Sequence, residues 1–427
     1  MSMHAHLGSR RPSQRHSSSK ILMAALALSC LLAPAMAQEI VTGGLLGPVK
    51  IDSTPGGNLL IVETGSGQHD STVQLATTFG QRFLLVGGLP SVLMVEGLNG
   101  PAGVADAHRT LYVLIGEGDV RGDAPPGVAV PNPDGLSSAI FSSILAFEFY
   151  PVPDEIRTGF VLTEDDHRRL ADGEIVEKTN DDGESVRAWL VADFRDLEPD
   201  AQFGIRQANP FDIDIAGGLT EQDLVELGLE DLGLSAAEFY ARFDPASPVG
   251  QRLRERTSLI VADAGMNTIS RVPATGGRIR MIWRMPPVPN PLFPTLGGPV
   301  AEAVPTSVHV VGDTALVGQL TGFPFVGGVA KVWTLDLVTG ARAPYIEGLR
   351  SVTDVFTHGG ATYVVQVSND LLAGAPGSLL RFDDPSQPPQ VVGPVLIGPT
   401  GITYSHADGG LFVTENFTGT VRRFQVD

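Results

Sequence analysis

The side chains with the clearest chemical potential in this chain recur in two columns. One column stands two residues after the residue that opens each of six similar strand patterns, and reads Lys50, Gly103, Asp212, Ser307, Asp354 and Gly401. The other closes the strand that follows, and reads Glu63, Glu117, Asp263, Gln319, Gln366 and Glu415. A purely architectural position should carry similar residues in every copy. The second column does so, with an acid or amide each time, suited to accepting turn N–H bonds and stitching copy to copy. The first column mixes glycine with two carboxylates, a hydroxyl and an ammonium. Asp212, Asp354 and Ser307, with the neighbouring Thr306, Thr353 and Thr400, offer the hard oxygens that calcium or a small polar ligand takes, and no soft-metal set. Two carboxylates drawn into one narrow space repel and are desolvated, so Lys50 or a bound cation must compensate them. The expected site is therefore Asp212, Asp354, Ser307 and Lys50, with Asp212 and Asp354 as candidate metal ligands and calcium as the candidate cofactor.

Other familiar chemistry is missing from the sequence. It contains no G-x-S-x-G elbow, no phosphate-binding Walker loop, no H-E-x-x-H and no G-x-G-x-x-G before a helical pattern. His69, His108, His167, His309, His358 and His406 show no ligand spacing, and His108, His358 and His406 each fall at a hairpin, where they read as turn residues. The single cysteine, Cys30, lies in an apolar N-terminal run. Once that run is removed, neither a disulfide nor thiol catalysis is available.

The elements that must position the two columns are short strands. Residues 398–424, GPTGITYSHADGGLFVTENFTGTVRRF, hold three strand patterns separated by two turns. The same unit opens at Pro48, Pro101, Pro210, Pro305, Val352 and Pro399, with second strands such as LLIVE (59–63), LIVAD (259–263) and LFVTE (411–415). The last three openings are 47 residues apart, and two earlier intervals are longer by about one further period. A repeat of this length built from four strands is the signature of a propeller blade. The expected fold is all-β, a six-bladed β-propeller. Its last copy has only three strands, and the run EIVT (39–42) should supply the fourth, closing the ring and hiding a sheet edge.

The stretch 304–332, VPTSVHVVGDTALVGQLTGFPFVGGVAKV, together with GPAGVADAHRTLYVLIGEG (100–118) and NPFDI followed by LIVADAGMNTISRV, resembles the ScyD/ScyE family of NHL-like propellers, named for scytonemin biosynthesis. The resemblance covers most of the chain after the N-terminal run. It implies a six-bladed propeller exported across the inner membrane, and brings no catalytic motif. In that family glycine often follows two places after the opening Pro, whereas Lys50 and Asp212 stand there in this chain.

Residues 1–37 read as a secretory signal peptide: Arg10, Arg11, Arg15 and Lys20 without an acid, an apolar run 21–33, and the small-x-small site Ala35-Met36-Ala37, with cleavage after Ala37. The expected location is the periplasm or the exterior, with no membrane span after cleavage. Residues 38–427 then form one propeller domain carrying 25 basic and 48 acidic residues, a balance of −23 that argues against nucleic acid as a partner. Two helix-containing insertions interrupt it, 151–187 on blade 2 and 217–256 on blade 3. Thr163-Glu164-Asp165-Asp166 and Thr220-Glu221-Gln222-Asp223 read as capped helix starts.

We define the top face as the one on which the chain enters each first strand and links second to third strands. The insertions should lie on the opposite face, while loops 118–136 and 321–325 should partly cover the site at the top mouth of the channel. For function, the first expectation is a non-catalytic module that binds a small polar ligand or scaffolds a partner protein. The second is a calcium-assisted hydrolase or lyase of the gluconolactonase-like type. Members of that type share a Glu before the first Gly-Pro, but Leu46 stands there in this chain. The third, from the family resemblance alone, is an accessory role in secondary-metabolite assembly.

Overall fold

A computed structural model describes residues 38–94, 97–107, 109–121, 130–132, 136–200, 202, 204–217 and 255–426. The proposed signal peptide, His108 and nearly all of the 217–256 insertion lie outside the described residues.

Six antiparallel sheets are built in chain order. Blade 1 runs Pro48–Ser53, Leu59–Glu63, Ser71–Ala76 and Arg82–Leu89. Blade 2 runs Pro101–Ala107, Thr110–Ile115, Ser143–Tyr150 and Ser185–Asp193. Blade 3 runs Pro210–Ala216, Ser258–Asp263, Thr268–Pro273 and Arg280–Arg284. Blade 4 runs Pro305–Val311, Thr314–Gln319, Ala330–Asp336 and Arg342–Leu349, and blade 5 Val352–His358, Ala361–Gln366, Gly377–Phe382 and Gln390–Leu396. Blade 6 takes Pro399–Ser405, Gly410–Glu415 and Thr420–Gln425 from the C-terminus, and its outer strand is the N-terminal Gln38–Thr42, with Gln38 opposite Phe424 and Thr42 opposite Val421. The fold is the six-bladed propeller expected from the repeat, closed as expected.

Second strands such as Leu59–Glu63, Ala361–Gln366 and Gly410–Glu415 are buried at every residue. Each faces a neighbouring blade on both sides, which explains why they read as continuous apolar runs instead of alternating ones. Alternation reappears in where the side chains go: Leu60 and Val62 enter the core between blades 1 and 2, while Leu59 and Ile61 enter the core between blades 6 and 1. Six such cores, one per blade junction, hold the ring together, and each buried Val, Leu or Ile contributes about 1.5–3 kcal/mol.

The 151–187 insertion is held on blade 1. Phe160–Val161 pairs in parallel with that blade's outer strand, and Asp154 accepts from the Asn58 side chain at 2.7 Å and the Thr54 hydroxyl at 2.5 Å in its first hairpin. The helix Glu164–Ala171 starts on the expected capping box, Thr163 with Asp166, and Val176–Thr179 adds a fifth strand to blade 2. That first hairpin lies on the face opposite the top, as expected for this insertion.

Candidate functional site

In all six blades the pairing of first and second strand shifts register between the opening residue and the residue two places on: Pro48/Lys50, Pro101/Gly103, Pro210/Asp212, Pro305/Ser307, Val352/Asp354 and Pro399/Gly401. A bulge re-aims the side chain it carries. In blades 1, 3 and 5 it brings three charges together. Lys50 Nζ lies 3.0 Å from Asp212 Oδ2 and 3.1 Å from Asp354 Oδ1, and donates to the carbonyl of Thr353 at 3.0 Å. Blades 2, 4 and 6 contribute Gly103, Ser307 and Gly401, so charged and small residues alternate around the ring. The alternation is steric: a Cβ on Gly401 would stand 3.0 Å from Lys50 Cα, and one on Gly103 3.3 Å from Asp212 Cα.

Lys50, Asp212 and Asp354 are 2%, 6% and 7% exposed. The remaining capacity of the carboxylates is spent on the next blade: Asp212 accepts from the Val308 N–H at 2.9 Å, and Asp354 from the Ile402 N–H at 2.9 Å. Burial pushes the Asp212 carboxyl up to about 7, with Lys50 opposing the shift and Asp354 adding to it. Asp354 also rises through burial, against the pull of Lys50. Burial alone would depress Lys50, but the two carboxylates outweigh it and hold the ammonium above its ordinary value.

Of the expected site residues, then, Lys50, Asp212 and Asp354 meet. Ser307 does not join them. Its buried Oγ has no hydrogen-bond partner and sits against Gly318 in the same blade, where an added Cβ would be 2.3 Å away. Thr306, Thr353 and Thr400 instead donate to the carbonyls of Val352, Pro399 and Pro48 in the following blades. The place between the carboxylates that a calcium ion would take is filled by the Lys50 ammonium. Calcium also needs about six to eight oxygens, and the described residues contain no group of three or more His, Cys, Asp or Glu arranged to hold a metal. The residues present do not fit the ion.

The second column accepts turn N–H bonds, but mostly inside its own blade. Glu63, Gln366 and Glu415 each accept the N–H of the residue two before the blade's opening residue: Leu46, Arg350 and Ile397, each at 2.7 Å. Asp263 takes the N–H of Asn209 at 3.0 Å. Stitching between blades falls instead to the three threonines and the first-column carboxylates.

A cavity of about 170 Å³ lies along the axis beside the charged cluster, and no described residue of loops 118–136 or 321–325 lines it. Its further walls come from a third column, two places beyond the first: Asp52, Asp214, His309, Phe356 and Thr403. Exposure grows in that direction, to 30% for the Asp214 side chain and 18% for His309. The cavity therefore opens along the first strands, away from the top mouth where the site was expected. This column is hidden when only one position on each first strand is compared across the blades. The two-residue period of a strand, which puts Asp52 on the same side as Lys50, would have found it.

The chain is, by its sheets and their closure, a six-bladed β-propeller. No protein-family model and no curated protein sequence matches it. Among solved structures it is similar to one described as an oxidoreductase (glucose dehydrogenase) from Thermus thermophilus, at 14% identity and a TM-score of 0.45, covering 91% of this chain and 99% of that one. It is also similar to a gluconolactonase from Xanthomonas campestris, at 10% identity and a TM-score of 0.44, covering 91% of this chain and 89% of that one.

Proposed function

We propose that this chain is an exported, non-catalytic propeller that works as a ligand-binding or protein-scaffolding module. The observation that carries the reading is the Lys50 cluster. Lys50, Asp212 and Asp354, the first-column side chains that meet on the axis, are held by one another and by backbone N–H groups of blades 4 and 6, leaving no free nucleophile, base or metal ligand among these three. Support for a scaffolding role comes from the top-face loops, which expose Leu46, Leu93, Phe293, Phe323 and Phe417. Export rests on the sequence of residues 1–37, and no helix among the described residues is long and apolar enough to cross a membrane. The resemblance to the ScyD/ScyE family would make the module an accessory of secondary-metabolite assembly.

Two measurements on protein purified from its own host cells and their medium test this. Intact mass should start the chain at Gln38, and a chain retaining residues 1–37 would remove the export claim. Glucono-1,5-lactone with added calcium should show no hydrolysis above the uncatalysed rate; turnover abolished by a chelator would replace this reading with the hydrolase one.

A further inference from the structure

We propose that the axial cavity beside the Lys50 cluster binds a small organic ammonium ion, with Asp52 and Asp214 taking the charge and the rings of Phe356 and His309 taking the hydrocarbon part. This deepens the binding-module reading by naming a site and a ligand class for it.

The charge of the walls is the first argument. Four carboxylates line the cavity, Asp52, Asp212, Asp214 and Asp354, against a single ammonium, Lys50. Lys50 is already held by Asp212 and Asp354, so Asp52 and Asp214 face the cavity without a fixed cation. Of the other titratable groups, His309 touches Asp214, with Nδ1 3.5 Å from Oδ2, and is anchored by Nε2 to the Thr357 hydroxyl at 2.9 Å. Burial and then the nearby Asp214 charge raise the Asp52 carboxyl to about 7, with the N–H of Ser53 opposing, so a cation entering beside it would favour its ionised form.

The second argument is the aromatic part of the wall. Blades 1 and 3 supply Asp52 and Asp214, whereas blades 4 and 5 supply His309 and Phe356, whose ring centroids lie 4.8 Å apart. Aromatic rings lining the same cavity as carboxylates suit an organic cation: the ring quadrupole attracts the positive end, and the ring surface covers methylenes. Asp52 and Asp214 accept from the N–H groups of Ser53 (2.7 Å), Ile215 (2.6 Å) and Val310 (2.6 Å), which fixes both carboxylates yet leaves lone pairs for the N–H donors of a primary ammonium. A bare divalent ion fits less well, because two of the four carboxylates are engaged by Lys50 and the aromatic wall offers it nothing. The volume admits about six waters, hence a ligand of about that many non-hydrogen atoms.

The probe is n-butylammonium chloride, titrated calorimetrically into the full propeller at constant ionic strength, with n-butanol as the uncharged counterpart. Wild type should bind the ammonium and not the alcohol. The variant Asp52→Asn, Asp214→Asn, in which each amide keeps one oxygen to accept a backbone N–H, should weaken binding about tenfold or more. Phe356→Leu, which leaves the carboxylates intact and guards against a fold defect in the double variant, should weaken it several-fold. No binding by wild type, equal binding of alcohol and ammonium, or unchanged affinity in both variants would each overturn the proposal. Lactone turnover would overturn the non-catalytic reading and leave this site standing, so the two failures are separable.

Discussion

Lys50 reaches across the axis from blade 1 to Asp212 on blade 3 and Asp354 on blade 5, so one side chain ties alternate blades through charge. A buried pair of this kind adds little over a well-packed apolar set, but breaking it is costly because the partners stay buried without their counter-charge. Lys50→Ala should therefore lower unfolding stability by about 3–5 kcal/mol. Adding Asp212→Asn and Asp354→Asn to Lys50→Met should recover most of that loss. Denaturant melts of the two variants decide: equal losses would mean that the cluster's charge does not matter. The same cluster sets a pH dependence. Asp212 and Asp52 titrate near 7 in the folded chain against an ordinary value of 3.8, and Asp263 near 6, all mainly through burial. A carboxyl with a raised folded pKa binds its proton better when folded, so its contribution is fully present below about pH 4 and is lost as pH rises through about 7. Stability should consequently fall between about pH 4 and pH 7, and fall less in Asp212→Asn, Asp52→Asn. Melts that rise over this interval in wild type would contradict the assignment.

At the level of strands, the bulge at the start of every first strand turns one sequence column into one ring of side chains. That regularity made Lys50, Asp212 and Asp354 legible: equivalent places in a closed repeat must converge, whatever the loops do. Ser307 occupies the equivalent place and still fails to join, because its short side chain turns toward Gly318, a choice of rotamer that spacing cannot reveal. The third column escaped notice for another reason. Ala105 breaks it chemically, and nothing but the two-residue period of a strand distinguishes Asp52 and Asp214 from ordinary strand polars. The parallel strand Phe160–Val161 was illegible altogether, since two residues carry no period and only the edge of blade 1 gives them a partner. The capping box at Thr163 was readable because its hydrogen bonds are local.

Across the whole ring, closure decides whether six blades behave as one body. Blades 1 to 5 are each made from a continuous stretch of chain, but blade 6 depends on Gln38–Thr42 pairing with Thr420–Gln425, at the far end of the sequence. The junction is reinforced elsewhere: the Thr400 hydroxyl donates to Pro48 O at 3.1 Å, Leu45 N donates to Gly419 O at 3.0 Å, and Leu45 joins the core between blades 6 and 1 with Phe412 and Val421. Removing residues 38–42 would leave these contacts in place but strip blade 6 of its outer strand, exposing an unpaired edge along Thr420–Gln425. It would also uncover Phe424, which is fully buried between blades 5 and 6. Since every blade packs on two neighbours, loosening one junction weakens the whole ring instead of fraying one end. The deletion should lower the melting temperature of the entire domain in a single transition and promote self-association through the freed edge. Adding the peptide QEIVT in excess should partly restore the melt by occupying that edge. A deletion variant that melts like wild type and stays monomeric would mean that closure rests on the first-strand contacts between blades 6 and 1 alone.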